Sequence, residues 1–194
     1  MTLEEYIRKG KYHDVKIISS YHNHNYLCRH AFGVVKDYVE VAKEKGIEVI
    51  GISDHGPIDL IETKPRMTDE EFYLDYLPQF ERARNLGIEV KKGLELEFFP
   101  EFIDKYVEYK NNVDYLLLGQ HIFRVNGIMK SVHFSSINNE DIIVYGNVVM
   151  NAIATHLFDV VAHPDVIFHN VEKVSKVGCE VLENIVKCAI DNDV

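Results

Sequence analysis

Seven side chains of the kind that hold metal ions recur at one kind of place along this 194-residue chain. The stretch Tyr21–Asn25 reads Y-H-N-H-N and follows the apolar run Val15-Lys16-Ile17-Ile18. His22 and His24 are two residues apart, so on an extended strand both rings face the same side and can share a divalent cation. His30 follows in the next loop, Ser53-Asp54-His55 closes the second apolar run, and Glu95, His121 and His163 close three more. Six imidazoles and one carboxylate are too many for a single ion, since zinc takes about four ligands. Two or three ions would share them, with Glu95 as the bridging group and Glu97 as its rival on the same strand face. The absence of ligand-type cysteines favours zinc, manganese or iron over a thiolate site. Clustered divalent ions lower the pKa of bound water towards ~7 and clamp oxygens during displacement at phosphorus, so phosphate-ester hydrolysis is the expected chemistry. Arg29, Arg66, Arg124 and Lys130 fall in loops near the strand ends, where arginine suits a bidentate phosphate contact.

The other candidates read as structural. His13, His133, His156 and His169 lack strand-end placement and are expected at the surface or at helix ends. Cys28 reads as a buried small apolar residue. Asp54 and Asp165 read as turn groups or as carboxylates that orient ligating imidazoles.

The elements that must carry these residues alternate. A polar lead-in, 1–14, precedes a strand over 15–22. A helix over 31–46 carries Val34, Val35, Tyr38, Val39, Val41 and Ala42 as its apolar stripe and stops at Gly46. Val49–Ile52 is a strand buried on both faces. After a loop over 59–67, Thr68-x-x-Glu71 is a capping box opening a helix to about Leu86, and Pro78 inside it predicts a kink or two shorter helices. Strands over 88–96, 115–118 and 159–162 alternate with helices over 100–111, 139–156 and 172–193, and 124–138 reads as irregular. Repeated βα units imply a parallel sheet. The glycine-rich nucleotide loops of open sheets are absent. Metal-type residues at every strand end favour a barrel, where carboxyl ends converge on one rim.

Composition narrows the rest. Apolar residues make up 46%, enough for one buried domain, and the formal charge of −10 argues against a broad nucleic-acid surface. No apolar run reaches the ~18–20 residues of a membrane span, and the charged N-terminus lacks a signal-peptide core, so no membrane partner and a cytoplasmic location are expected. Cys28, Cys179 and Cys188 suggest no disulfide framework.

Five segments, Y-H-N-H-N-Y-L-C-R-H-A, I-G-I-S-D-H-G-P, K-K-G-L-E-L-E-F-F-P-E, L-L-L-G-Q-H and V-A-H-P-D, resemble the polymerase and histidinol phosphatase (PHP) family, most of all its histidinol-phosphatase branch. The loop with Arg66-Met67 is similar to that branch as well. The resemblance covers essentially the whole chain. It implies an α/β fold, a distorted seven-stranded (β/α) TIM-like barrel, with a trinuclear metal site. His22, His24 and Glu95 would hold one ion; Glu95, His121 and His163 a second; His30 and His55 a third. His55 and Glu95 would be the catalytic residues, Arg29 and Arg66 the contacts to the substrate phosphate, and water or His55 the proton donor. The implied reaction converts L-histidinol phosphate and water to L-histidinol and phosphate, in histidine biosynthesis. The family's last motif, an Asp-x-His, does not follow His163 here. The expectation is therefore a single domain over 1–194, shortened at its C-terminus, with open strand edges that invite homo-oligomers. Other readings are a phosphatase of the same family acting on a nucleotide, a sugar phosphate or phosphotyrosine, and an inactive metal-binding barrel.

Overall fold

The computed structural model describes residues 16–58 and 66–194. The lead-in over 1–14, His13, Val15 and positions 59–65 of the expected loop lie outside the described residues. In chain order the elements are β1 (Ser19–Ser20), α1 (Val35–Glu44), β2 (Val49–His55), α2 (Asp69–Glu71, a π-helical Phe72–Tyr76 and Leu77–Ala83), β3 (Glu89–Leu96), α3 (Ile103–Lys110), β4 (Tyr115–Leu118), β5 (Ile122–Val125), β6 (Ile128–Ser131), α4 (Asn139–Ile153), β7 (Val160–Val161) and α5 (Lys176–Asp191).

Five strands form one parallel sheet in the order β1-β2-β3-β4-β7. Spatial order follows chain order. A doubly wound sheet reverses direction at a switch point, and this one does not. The sheet curls into the half-barrel of a TIM-like fold. Ile50, Ile52, Leu94, Leu96, Leu116 and Leu118 project from one face into the main core, together with Val35 and Val39 of α1, Phe72, Tyr76 and Phe80 of α2 and Tyr106 and Tyr109 of α3. Alternate residues on β4, Tyr115 and Leu117, join Ala162 in a small separate cluster on the other face. The period of two along β4 thus divides helix-side packing from the concave side.

Several expected boundaries move. Only Ser19 and Ser20 pair with β2, so His22 and His24 lie beyond the strand. There, irregular bonds hold the chain: the Ser53 amide donates to Asn23 O at 2.9 Å and Asn23 Nδ2 to Gly51 O at 2.8 Å. Gly33, with φ +79°, delays α1 to Val35, and the helix buries Val35, Val39 and Ala42 while Val34 and Val41 stay exposed. The capping box at Thr68 and Glu71 is present. Pro78 sits just after the π turn, in which the Leu77 amide bonds back to Phe72 O; the widened turn divides α2 into two short α-helical pieces, one of the two outcomes expected at Pro78.

The largest departure is at 124–138. The antiparallel hairpin β5–β6 starts just before the expected irregular segment and runs into it, turning on Asn126 (φ +50°) and Gly127 (φ +80°). An Asn-Gly pair between two apolar runs is a hairpin sequence, because both residues tolerate the left-handed region that a tight turn needs.

Candidate metal centre

Glu95, near the end of β3, is the centre of the site, and its side chain is only 1% exposed. His55 is its register partner on β2, so both side chains leave the sheet on the same face. Gly119, just past β4, makes room for the carboxylate: a Cβ there would lie 1.9 Å from Glu95 Oε1. Around Oε2 stand His22 Nε2 at 3.3 Å, His24 Nε2 at 3.2 Å and His55 Nδ1 at 3.2 Å. Around Oε1 stand His163 Nε2 at 3.1 Å and His121 Nε2 at 3.6 Å. His163 takes the left-handed φ of +31° ahead of Pro164, a conformation that side-chain-bearing residues adopt at a cost and that is found at functional sites. His30 reaches the cluster through its ring contacts, 5.3 Å from His24 and 5.2 Å from His55 between centroids. All seven residues therefore meet at one mouth, a cavity of about 820 Å³.

The donor set suits divalent cations on its own geometry. Glu95 Oε2 is buried without a hydrogen bond although three imidazole nitrogens surround it. His22 Nε2 and His24 Nε2 face each other at 3.1 Å, which leaves two lone pairs in conflict unless a proton or a cation lies between them. Ligand atoms lie within 4.8 Å of one another in four such groups among the described residues: His22, Glu95 and His163; His55, Glu95 and His121; His24, His30 and His55; and His24, Cys28 and Asp54. These groups divide the residues differently from the trio implied by the family resemblance, while keeping Glu95 shared between two of them.

Carboxylates behind the imidazoles fix their orientation. Asp54, fully buried, lies 3.1 Å from His24 Nδ1, and Glu97, also buried, lies 3.0 Å from His121 Nδ1. An imidazole N–H given to a carboxylate leaves the opposite nitrogen free to ligate. Burial opposes charge on His24, but Asp54 and Glu95 outweigh it and raise its pKa to about 9. At His55 burial dominates and pushes the pKa down to about 3, so the ring is neutral. Burial would also raise Glu97, yet Arg66 and His121 bring it down to about 2. Glu95 is likewise held well below the usual range by its histidines, against its burial.

The four cations expected near the strand ends separate clearly. Arg66 lines the cavity, held by Glu97 through two bonds of 2.6 and 2.8 Å, with Nη1 3.1 Å from His55 Nδ1. Arg29 is not in the lining; it donates to both Glu71 oxygens at 2.6 and 2.7 Å. Arg124 pairs with Glu101 and lies over the Phe99 ring, and Lys130 is committed to Asp141 at 2.6 Å. Cys28 is buried as expected, although it touches the cavity, with Sγ 3.4 Å from His30 Nδ1.

His169 is exposed at the end of a short 3₁₀ turn, as its position suggested, and His133 is half-buried. Both line the cavity. The hairpin turns the chain back over the mouth, where the Val132 amide bonds to His121 O at 2.9 Å. The His133 ring then stacks 5.7 Å from that of His121, and His169 lies 4.9 Å beyond. The Asn126-Gly127 pair was the only local indication of this return.

A PHP domain model matches residues 20–194. A protein of Shewanella loihica described as a probable phosphatase is 30% identical over 153 residues, which cover 77% of this chain and 54% of that protein. A protein of Shewanella amazonensis with the same description is 25% identical over 74% of this chain and 50% of its own. The chain thus spans about half the length of the curated relatives it matches. Among solved structures, histidinol phosphate phosphatase from Lactococcus lactis, complexed with zinc, L-histidinol and phosphate, superposes with a TM-score of 0.68 at 15% identity, over 90% of this chain and 70% of that one. A candidate histidinol phosphatase, hisK of Listeria monocytogenes, gives 0.74 at 17%, over 90% and 79%. At those identities the structures speak for the fold, and the match over residues 20–194 speaks for the lineage: the chain belongs to the PHP domain family.

Proposed function

We propose that this chain is a metal-dependent phosphatase of small phosphate monoesters, with L-histidinol phosphate as its substrate. The observation that carries the reading is the buried Glu95 carboxylate ringed by five imidazole nitrogens at 3.1 to 3.6 Å, with one oxygen left without a hydrogen bond. Support for the substrate comes from the Lactococcus lactis neighbour, whose complex contains L-histidinol and phosphate, and from relatives described as probable phosphatases. In this reading residues 1–194 act as one PHP-type unit.

His22, His24, His30, His55, Glu95, His121 and His163 would hold two or three divalent ions, of zinc, manganese or iron. When bound, such ions supply a nucleophilic oxygen at neutral pH and neutralise phosphoryl charge. The rest falls to the chain's own residues. Glu95 offsets the positive charge gathered at the centre. Asp54 and Glu97 hold His24 and His121 in the tautomers that present Nε2 inward. Arg66, fixed in orientation by Glu97, offers its remaining N–H groups to a phosphoryl oxygen. A new P–O bond forms to a water oxygen and the P–O bond to the alcohol breaks. Water supplies the proton to the departing alkoxide, since His55 would have its ring nitrogen on an ion.

The test is release of phosphate from L-histidinol phosphate by protein loaded with zinc or manganese, beside nucleotide, sugar and tyrosine phosphates. Turnover that a chelator abolishes and metal restores is the expected result. Stoichiometric metal uptake with no release from any monoester would overturn the phosphatase reading.

A further inference from the structure

Cys28 reads in sequence as a small buried residue, yet its surroundings are polar. Its side chain is 3% exposed and lines the cavity together with His24, His30 and His55. Sγ lies 3.4 Å from His30 Nδ1. Two donors on one tetrahedral zinc, at ~2.3 Å for sulfur and ~2.0 Å for nitrogen, stand about 3.5 Å apart. The thiol has one proton, and Asn25 O, 3.0 Å from Sγ, accepts it. The approach of sulfur to His30 is thus the spacing of two ligands.

A second observation points to a cation at the same place. Asp54 is fully buried. Its Oδ1 accepts from the His55 amide at 3.1 Å and faces His24 Nδ1 at 3.1 Å. Its Oδ2 is buried without a hydrogen bond. A carboxylate oxygen withdrawn from water with no donor costs free energy that a bound cation would offset. Ligand atoms of Asp54, Cys28 and His24 lie within 4.8 Å of one another. The turn that carries Cys28 is held from behind. Asn25 Oδ1 accepts from the Leu27 amide at 2.9 Å, and Arg29, at φ +66°, donates its amide to Tyr26 O at 3.1 Å.

The geometry points to Cys28 as a metal ligand: its thiolate, with His30 Nδ1 and the free Asp54 oxygen, takes the ion nearest His30 and makes that position select zinc over manganese. This inference rests on the reading that the cluster holds divalent ions. Asp54 keeps Oδ1 on His24, so that ring stays turned inward. As the sulfur–metal bond forms, the thiol proton passes to the buffer. Sulfur is a soft donor that favours zinc, whereas an all-oxygen or oxygen-rich set suits manganese. Among the described residues, Cys179 and Cys188 belong to no such donor group.

The experiment titrates the chain with cobalt(II) in place of zinc, because a thiolate on cobalt gives a near-ultraviolet charge-transfer band that nitrogen and oxygen donors do not. Absorption reports the band and elemental analysis the uptake. We expect the band to grow with uptake, to vanish in Cys28→Ser and to persist in Cys179→Ser and Cys188→Ser. In competition between zinc and manganese, Cys28→Ser should lower the preference for zinc about tenfold, whereas a cysteine that only fills space would weaken both ions alike. In the protein carrying both Cys179→Ser and Cys188→Ser, Cys28 is the one cysteine of three that remains, so its spectrum decides even where Cys28→Ser fails to fold. Uptake of cobalt with no band, a band that survives Cys28→Ser, or an unchanged zinc preference would overturn the inference. No uptake at all would overturn both this inference and the metal reading beneath it. Phosphate release is measured apart: turnover by cobalt-loaded protein without the band removes the Cys28 ligand alone, and the band without turnover of any ester removes the hydrolase alone.

Discussion

Glu95 is the residue on which the site turns, because it is the one buried negative charge that touches five of the six histidines. Replacing it by glutamine keeps the shape and removes the charge. Glu95→Gln should lose most bound metal, measured by elemental analysis after dialysis, and lower phosphatase turnover by at least about 100-fold. Asp54→Asn and Glu97→Gln act one step further out. Each should weaken metal affinity by about 10- to 100-fold in a chelator competition, since the imidazole it orients becomes free to turn. Gly119→Ala would place a methyl 1.9 Å from Glu95 Oε1 and should also cost metal, though every ligand remains. His55, Glu95, His121 and His163 were legible in sequence because each follows an apolar run, while His22, His24 and His30 were legible as closely spaced imidazoles in one short stretch. His133 and His169 were not, since neither follows such a run. Their place in the cavity depends on a turn and on the bonds of Asn170. Arg29 and Arg66 looked alike in sequence, and only their partners separate them: Glu71 holds one outside the cavity lining, and Glu97 holds the other within it.

At the scale of elements, β4 matched its apolar run because a strand covered on both faces leaves a continuous signature, while β2 runs past its apolar residues through Ser53 and Asp54 to His55. β1 and β7 each shrink to two paired residues, since pairing there gives way early to loop bonds that no hydropathy pattern encodes. The hairpin depends on Gly127, whose φ of +80° a side chain would resist. Gly127→Val should destabilise the protein by about 1–2 kcal/mol in urea unfolding, a cost set by the left-handed conformation. α2 is pinned to α3 through Asp69, which bonds to Lys105 at 2.6 Å and Tyr109 at 2.5 Å. Burial works to raise the Asp69 pKa, but these two partners outweigh it and leave it lowered. A lowered carboxyl stabilises the fold above its unfolded value of about 3.9, and the contribution disappears as pH falls through the folded value. Asp69→Asn should therefore flatten the acid limb of a stability-versus-pH curve while leaving its slope above pH ~5 unchanged, a modest effect because the pair is half exposed.

For the whole molecule, alternating strands and helices announced a parallel sheet, and the sheet's sequential order sets aside the doubly wound form. β1 and β7 each have one neighbour among the described strands. No helix among the described residues is long and apolar enough to cross a membrane. With six imidazoles and an acid brought together from five separate segments, metal binding should couple to stability across the sheet. At a free metal concentration of 100 times its dissociation constant, one site adds about 2.7 kcal/mol, so zinc should raise the melting temperature and a chelator should reverse the rise. The most direct test is an anomalous-scattering crystal structure of zinc-loaded protein. The account predicts two or three ions at the mouth, within ~2.0–2.2 Å of imidazole nitrogens and the Glu95 carboxylate. A structure at full zinc loading with those rings turned apart, and no ion among them, would contradict it.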